Sequence, residues 1–315
     1  MHPALSVILF TTLSGAGYGL VALMGGLAAA GRLPPDPWLA GVGLGLGSIA
    51  IAAGLIASTF HLGRPERAWR AFSQWRSSWL SREGVLSLLT FLPILALAYG
   101  AVIEHDMAGP WAIAGVATAL LAVATVYCTA MIYRSLKPIA HWHNGWVAPG
   151  YLLFAAMSGA LWLNAILLGF GEADRLIGAF ALLSTAAAAA VKLGYWRHID
   201  GTAGESSAES ATGLGRFGTV RLLEAPHTGE NYLMREMGFR IARKHAAKLR
   251  RVALLAGFAA PALLTILAML LPPIGAIPAA VLAALSAMLG LLVERWLFFA
   301  EAKHAVTLYY GAARA

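Results

Sequence analysis

The sequence predicts an all-α polytopic membrane protein, a bundle of about eight transmembrane helices with both termini in the cytoplasm. Three observations predict it. Of the 315 residues, 59% are hydrophobic and only 12% charged. The apolar residues fall in long blocks, and the Lys and Arg residues gather in alternate loops. A soluble domain carries roughly 45–50% apolar and about 25% charged residues, so this chain lacks the polar surface to coat a water-soluble globule. Periodic one-sided patterns of soluble helices and strands are missing as well.

A hydrocarbon core of ~30 Å takes about 20 apolar residues per helical span. By that measure the spans are residues 5–30, 38–60, 85–103, 111–133, 147–170, 176–193, 252–271 and 274–299. The first begins almost at the N-terminus. No basic segment precedes Leu5 and the run is too long for a signal peptide, so a retained helix is expected. It carries Ser14-Gly15-Ala16-Gly17-Tyr18-Gly19, and the second carries Gly41, Gly43, Gly45 and Gly47. With no strand before them these glycines do not make a dinucleotide site; they predict tight packing of the first helix on the second through small residues. The fourth span holds Cys128, the single cysteine, so disulfides and cysteine-ligated clusters within the chain are not expected. The fifth and sixth are joined by Gly171-Glu172-Ala173-Asp174-Arg175, a tight hairpin. Pro272-Pro273 separates the last two.

Residues 1–315 read as a single transmembrane domain with one cytoplasmic polar insert, 194–251. Residues 201–218, rich in Gly, Ser, Ala and Thr, read as a flexible loop. Residues 230–251 read as a basic amphipathic helix lying at the membrane surface or receiving a soluble partner through Arg235, Arg240, Arg243 and Lys244.

Orientation follows the cations. The stretches 61–82, 134–146 and 192–251 follow the second, fourth and sixth spans and hold 18 of the 23 Lys and Arg residues, whereas the loops after the first, third and fifth hold only Arg32 and Arg175. This split places the basic loops in the cytoplasm of a bacterial inner membrane. The net charge of +8 is then explained by anionic lipid, and no nucleic-acid partner is expected.

The richest polar chemistry stands where the second span ends and the third begins: Ser58-Thr59-Phe60-His61-Leu62-Gly63-Arg64-Pro65-Glu66-Arg67-Ala68-Trp69-Arg70, then Trp75, Trp79 and Arg82-Glu83. Interfacial Trp and Arg anchors account for Trp69, Trp75, Trp79, Arg70 and Arg76. They account less well for His61 and Glu83, which end one span and open the next and can face each other at the bilayer boundary. Ionisable groups at that depth are functional candidates. Histidine exchanges protons near neutral pH and a carboxylate can pass them on, a combination that suits the two-electron, two-proton chemistry of a quinone headgroup. A second cluster, Tyr133-Arg134-Ser135-Leu136-Lys137-Pro138 with His141-Trp142-His143-Asn144-Gly145-Trp146, reads as a turn with interfacial aromatics rather than a metal site. No histidine falls at mid-span, so haem b is not expected. The centres of the spans lack charge and no internal repeat is visible, which weighs against a transporter.

At His61-Leu62-Gly63-Arg64-Pro65-Glu66-Arg67-Ala68, with Ser81-Arg82-Glu83 opening the third span, the chain resembles the membrane-anchor subunit of the DMSO reductase family of molybdenum enzymes. The resemblance implies an eight-helix subunit with no cofactor of its own. It implies docking to a ferredoxin-like iron–sulfur subunit and, through it, a molybdopterin catalytic subunit, with electrons exchanged with quinone or quinol. The family's quinol-site histidine and carboxylate match His61 and Glu83, and Arg64, Arg67 and Trp69 around them are expected to line the headgroup pocket or face the partner. The long basic insert, on the same side as His61, looks like the sulfite-oxidising complexes whose soluble parts are cytoplasmic and which reduce quinone. A DMSO reductase-type anchor oxidising menaquinol is the alternative, and a small-molecule transporter a more distant one.

Overall fold

The computed structural model describes residues 4–60, 62–202, 206–224, 229 and 241–310, for 241–244 the backbone alone. Long helices alternate up and down: α1 (Leu5–Ala29), α2 (Pro37–Thr59), α3 (Trp79–Tyr99), α4 (Pro110–Arg134), α5 (Val147–Gly169) and α6 (Arg175–Gly201). The short α7 (Ala208–Thr212) follows. Then α8 (Ile241–Leu254) runs through a π-helical segment, Leu255–Ala259, into α9 (Ala260–Leu270), and α10 (Pro273–Ala300) closes the bundle. Among the described residues eight helical spans are long and apolar enough to cross a membrane, as the sequence predicts. The protein is a polytopic all-α membrane protein.

Local chemistry sets the ends. Pro37, Pro110 and Pro273 occupy first-turn positions, where a missing N–H costs nothing. Asp36 caps α2, accepting from the amides of Trp38 at 2.7 Å and Leu39 at 3.1 Å, and Asp174 caps α6 through Leu176 N–H at 2.7 Å. Arg32 pairs with Asp174 at 3.2 Å, which ties the α1–α2 and α5–α6 turns together at the cation-poor end.

α1 is the hub, packing on α2, α4, α5 and α10. Its glycines explain why. A Cβ on Gly17 would lie 2.6 Å from the Gly47 carbonyl oxygen of α2, which bears out the predicted α1–α2 contact. A Cβ on Gly19 would run into the Ala155 carbonyl, and one on Gly25 would lie 2.5 Å from the Gly115 carbonyl oxygen, so the same glycine run also seats α5 and α4. Gly45 meets none of the described residues within 4 Å and has no part in the packing among them.

Three predicted boundaries move, and each move matters. α3 starts at Trp79, not near residue 85, so Glu83 lies inside the helix. α6 runs on to Gly201, past the predicted limit at 193, and Lys192 lies on its buried face. The stretch read as a loop, 201–218, contains α7, capped by the reciprocal Ser207–Ser210 bonds, and a turn of 3-10 helix at Gly215–Phe217. Of the predicted amphipathic helix at 230–251, residues 230–240 lie outside the described residues; the remainder is the start of α8 and leads straight into a span.

Candidate functional site

Glu83 owes its position to its neighbours in α3. Arg82 turns outward, its guanidinium donating to the carbonyls of Trp75 at 3.0 Å and Arg76 at 2.7 Å and lying over the Trp79 ring at 4.3 Å. The next residue along a helix points about 100° away, and Glu83 faces inward onto α4, only 5% exposed. There the Thr129 hydroxyl donates to its Oε1. Ser87 and Thr90, one and two turns on, continue the polar seam, with Thr90 Oγ1 3.4 Å from Thr125 Oγ1. Thr129 also stands 3.1 Å from the Thr125 carbonyl. A hydroxyl has one proton to give, so Thr129 can turn between that carbonyl and Glu83.

On the other side of Thr129 opens a cavity lined by α1, α4, α5 and α10. Its wall carries Thr11, Thr12, Ser14 and Tyr18 of α1, Thr129 of α4, Tyr151 and Ser158 of α5, and Arg295 of α10, among Val126, Phe154, Ala155 and Leu291. The hydroxyls of Thr11, Ser14 and Ser158 donate to carbonyls in their own helices, at 2.9, 2.6 and 2.6 Å, so toward the cavity they offer lone pairs. The buried Thr12 hydroxyl has no partner among the described residues. Arg295 supplies charge-bearing donors. The cavity thus presents both donors and acceptors inside an apolar shell, which is the make-up of a small-molecule site. It lies in the half of the bundle toward the basic loops, since Glu83, Thr129, Tyr151 and Arg295 are all within two turns of helix ends on that side.

Arg295 also borders a second, smaller cavity, with Tyr151, Lys192, Tyr195, Glu294 and Trp146. Lys192, Glu294 and Arg295 are 3%, 0% and 5% exposed. Glu294 is bonded to both cations, and aromatic rings close around them: Lys192 Nζ lies 4.1 Å from the Tyr195 ring centroid and the Arg295 guanidinium 4.3 Å from that of Tyr151. Charges at such depth persist only when paired, and rings over the cations add to the pairing. Nearer the helix ends, Arg250 binds Glu301 at 2.8 Å and Asp200 at 2.6 and 2.9 Å. Burial pushes the Glu301 carboxyl above the usual carboxylate range, with Arg250 opposing it.

The expected site residues divide. Glu83 stands behind Thr129, its bonded partner in the cavity wall, and does not itself line the cavity. Arg64, Arg67 and Trp69 are on or beside an exposed 3-10 turn, Pro65–Phe72, Trp69 being 65% exposed; they border the basic end and do not line the cavity. His61, Arg235 and Arg240 lie outside the described residues, as do the side chains of Arg243 and Lys244, whose backbones belong to the first turn of α8. His141 and His143 are in a turn: His141 Nδ1 is 3.0 Å from the Glu301 carbonyl, His143 Nδ1 2.6 Å from that of Arg134, and Trp142 Nε1 donates to the Phe298 carbonyl at 3.0 Å. The spans lack charge at their centres, as expected, but Lys192, Glu294 and Arg295 bring buried charge into their basic-side ends, which the sequence reading did not single out. The signal was present: a Glu-Arg pair inside the apolar run 274–299.

A family model described as "DMSO reductase anchor subunit (DmsC)" matches residues 1–311. A sulfite dehydrogenase subunit of Allochromatium vinosum is 36% identical over 328 aligned positions, which cover 98% of this chain and 99% of the relative. A subunit of the anaerobic dimethyl sulfoxide reductase of Escherichia coli is 28% identical over 151 positions, 43% of this chain and 48% of the relative. With the whole-length match and eight spans, the chain belongs to the DMSO reductase anchor subunit family.

Proposed function

We propose that this chain is the membrane anchor and quinone-reactive subunit of a molybdopterin oxidoreductase complex in a bacterial cytoplasmic membrane, passing electrons between the quinone pool and a docked iron–sulfur subunit. One observation carries the reading: a polar intramembrane cavity with Thr129, the hydrogen-bond partner of Glu83, in one wall and Arg295 in another. Reducing a quinone adds two electrons and two protons. The Arg295 guanidinium can hold a ring oxygen and stabilise charge as it develops there; Thr129 can hand on a proton held by Glu83; and the lone pairs of Thr11, Ser14 and Ser158 can accept from the hydroxyls of the product.

The iron–sulfur and molybdopterin groups belong to the partners, and the exposed turn with Arg64, Arg67 and Trp69 is offered as part of their docking face. With the basic loops toward the cytoplasm, the partners are cytoplasmic. The near full-length likeness to a sulfite dehydrogenase subunit favours sulfite as the electron source and quinone as acceptor; the shorter likeness to a dimethyl sulfoxide reductase subunit supports the opposite flow, from menaquinol. Membranes bearing the complex should reduce added menadione when given sulfite. Oxidation of menadiol on adding dimethyl sulfoxide, with no response to sulfite, would reverse the direction.

The site itself is tested by titrating a fluorescent hydroxyquinoline-N-oxide quinol analogue into membranes with the unaltered complex, Glu83→Gln or His61→Ala. Glu83→Gln, which removes the carboxylate that Thr129 binds, should weaken binding about three- to ten-fold with the complex still assembled. Unchanged binding in both variants removes the quinone from this end of the bundle.

A further inference from the structure

Buried ion pairs are poor scaffolding, because desolvation offsets most of their attraction, and here they form a row leading somewhere. We propose that Lys192, Glu294 and Glu301 are a proton path joining the larger cavity to the aqueous phase at the basic end, an inference that rests on the quinone reading of that cavity.

The row can be followed residue by residue. At the cavity, Tyr151 lies in the walls of both chambers, so its hydroxyl, able to donate and accept, is their common gate. The smaller chamber is lined by Lys192 and Glu294, which are paired to each other. From Lys192 the path passes the indole of Trp196, whose ring lies 4.9 Å from Lys192 Nζ and 5.2 Å from the Arg250 guanidinium on the far side. Glu301, 7% exposed, follows, bonded to Arg250, and Arg250 reaches Asp200, which is 56% exposed.

Three polar atoms along the row that carry no ion pair, the Tyr151 hydroxyl, Trp196 Nε1 and Glu301 Oε2, are buried with no hydrogen-bond partner among the described residues. Such atoms are commonly satisfied by water, which would carry a proton between Lys192 and Glu301. The arginines do not titrate. They balance the row instead: Lys192, Arg250 and Arg295 stand against Asp200, Glu294 and Glu301. The other titratable groups facing it are Tyr195 of α6, Tyr133 of α4, whose ring packs 5.9 Å from that of Tyr151, and His141, held to the Glu301 carbonyl.

For each quinone reduced, two electrons arrive from the docked partner and two protons enter from the basic-end solution, relayed through Glu301, Lys192–Glu294 and Tyr151 or supplied by Glu83. Electrons and protons then come from one side of the membrane, so turnover moves no net charge across it.

The experiment uses the whole complex in its membranes, with menadione as the quinone, the hydroxyquinoline-N-oxide as binding probe, and turnover compared in light and heavy water. Lys192→Arg keeps the cation for Glu294 and the rings but has no proton to release; Glu301→Gln keeps the shape at the outer end. Both should bind the analogue as the unaltered complex does, turn over about ten-fold more slowly, as expected for a lost acid–base group, and show a larger solvent isotope effect. A purely structural role predicts normal turnover and an unchanged isotope effect in Lys192→Arg, and that result overturns the path. A complex that binds no analogue even when unaltered overturns the quinone reading, and the path with it; unaltered binding with normal turnover in both variants overturns the path alone.

Discussion

At the residue scale, the site depends on side chains whose surroundings decide what they can do. Glu83 and Arg82 are adjacent, yet the arginine is engaged by loop carbonyls and a Trp ring while the carboxylate is enclosed by α4. Thr129→Val removes the hydroxyl that binds Glu83 and keeps the shape; it should weaken quinol-analogue binding about three- to ten-fold, at one neutral hydrogen bond's worth, as fluorescence titration will read. At the other end of the chain, His304 Nδ1 accepts the Val306 N–H at 3.1 Å, and burial holds its imidazole below the ordinary value. The sign follows from that direction. The neutral ring is the folded form, so its contribution is complete above the ordinary histidine pKa of ~6.5 and is lost as pH falls through the lowered value. Protection of the Val306 and Thr307 amides relative to their intrinsic exchange rates should therefore fall on acidification, and His304→Ala should abolish that fall.

At the scale of elements, helices that are apolar all round cannot be held together by burying one greasy stripe, since lipid is as apolar as the interior. Close backbone approach takes its place. A Cβ on Gly159 would collide with the carbonyl carbon of Gly19, backbone against backbone with no side chain to give way. Gly159→Ala should therefore push α1 and α5 apart and cost about 1–3 kcal/mol or more. Gly45→Ala, with open space around it, should be neutral or stabilise by about 0.5–1 kcal/mol through helix propensity. Thermal unfolding in detergent distinguishes them, and the buried Cys128, the one thiol in the chain, can report it through a thiol-reactive dye.

At the scale of the whole molecule, the basic loops, Glu83, both cavities and the ion row share one end of the bundle, while the opposite end is closed by the Arg32–Asp174 pair. The charge split predicts that the shared end is cytoplasmic. In a Cys128→Ser background, a membrane-impermeant maleimide applied to spheroplasts should label Ala173→Cys, in the exposed α5–α6 turn, and not Thr212→Cys at the exposed end of α7. The reverse pattern would invert the protein and move the proposed partners to the outer face.

The sequence by itself determined the number of spans, their approximate limits and the segregation of cations, because hydrophobic length and charge are sums along the chain that need no knowledge of neighbours. It also singled out Glu83, an acid at the mouth of an apolar run, and the α1–α2 glycine contact. Only the tertiary structure decided what those residues face. A span apolar on every side carries no moment to fix its rotation, so nothing in the one-dimensional pattern places Thr129 on Glu83, or Lys192 of α6 on Glu294 of α10. Lys192 reads as the first cation of a polar stretch until Glu294 appears opposite it; paired and ringed by aromatics, it can remain in the helix and the helix can run on to Gly201. The cavity is likewise a property of four helices at once, from residues far apart in the chain whose hydroxyls are commonplace one by one.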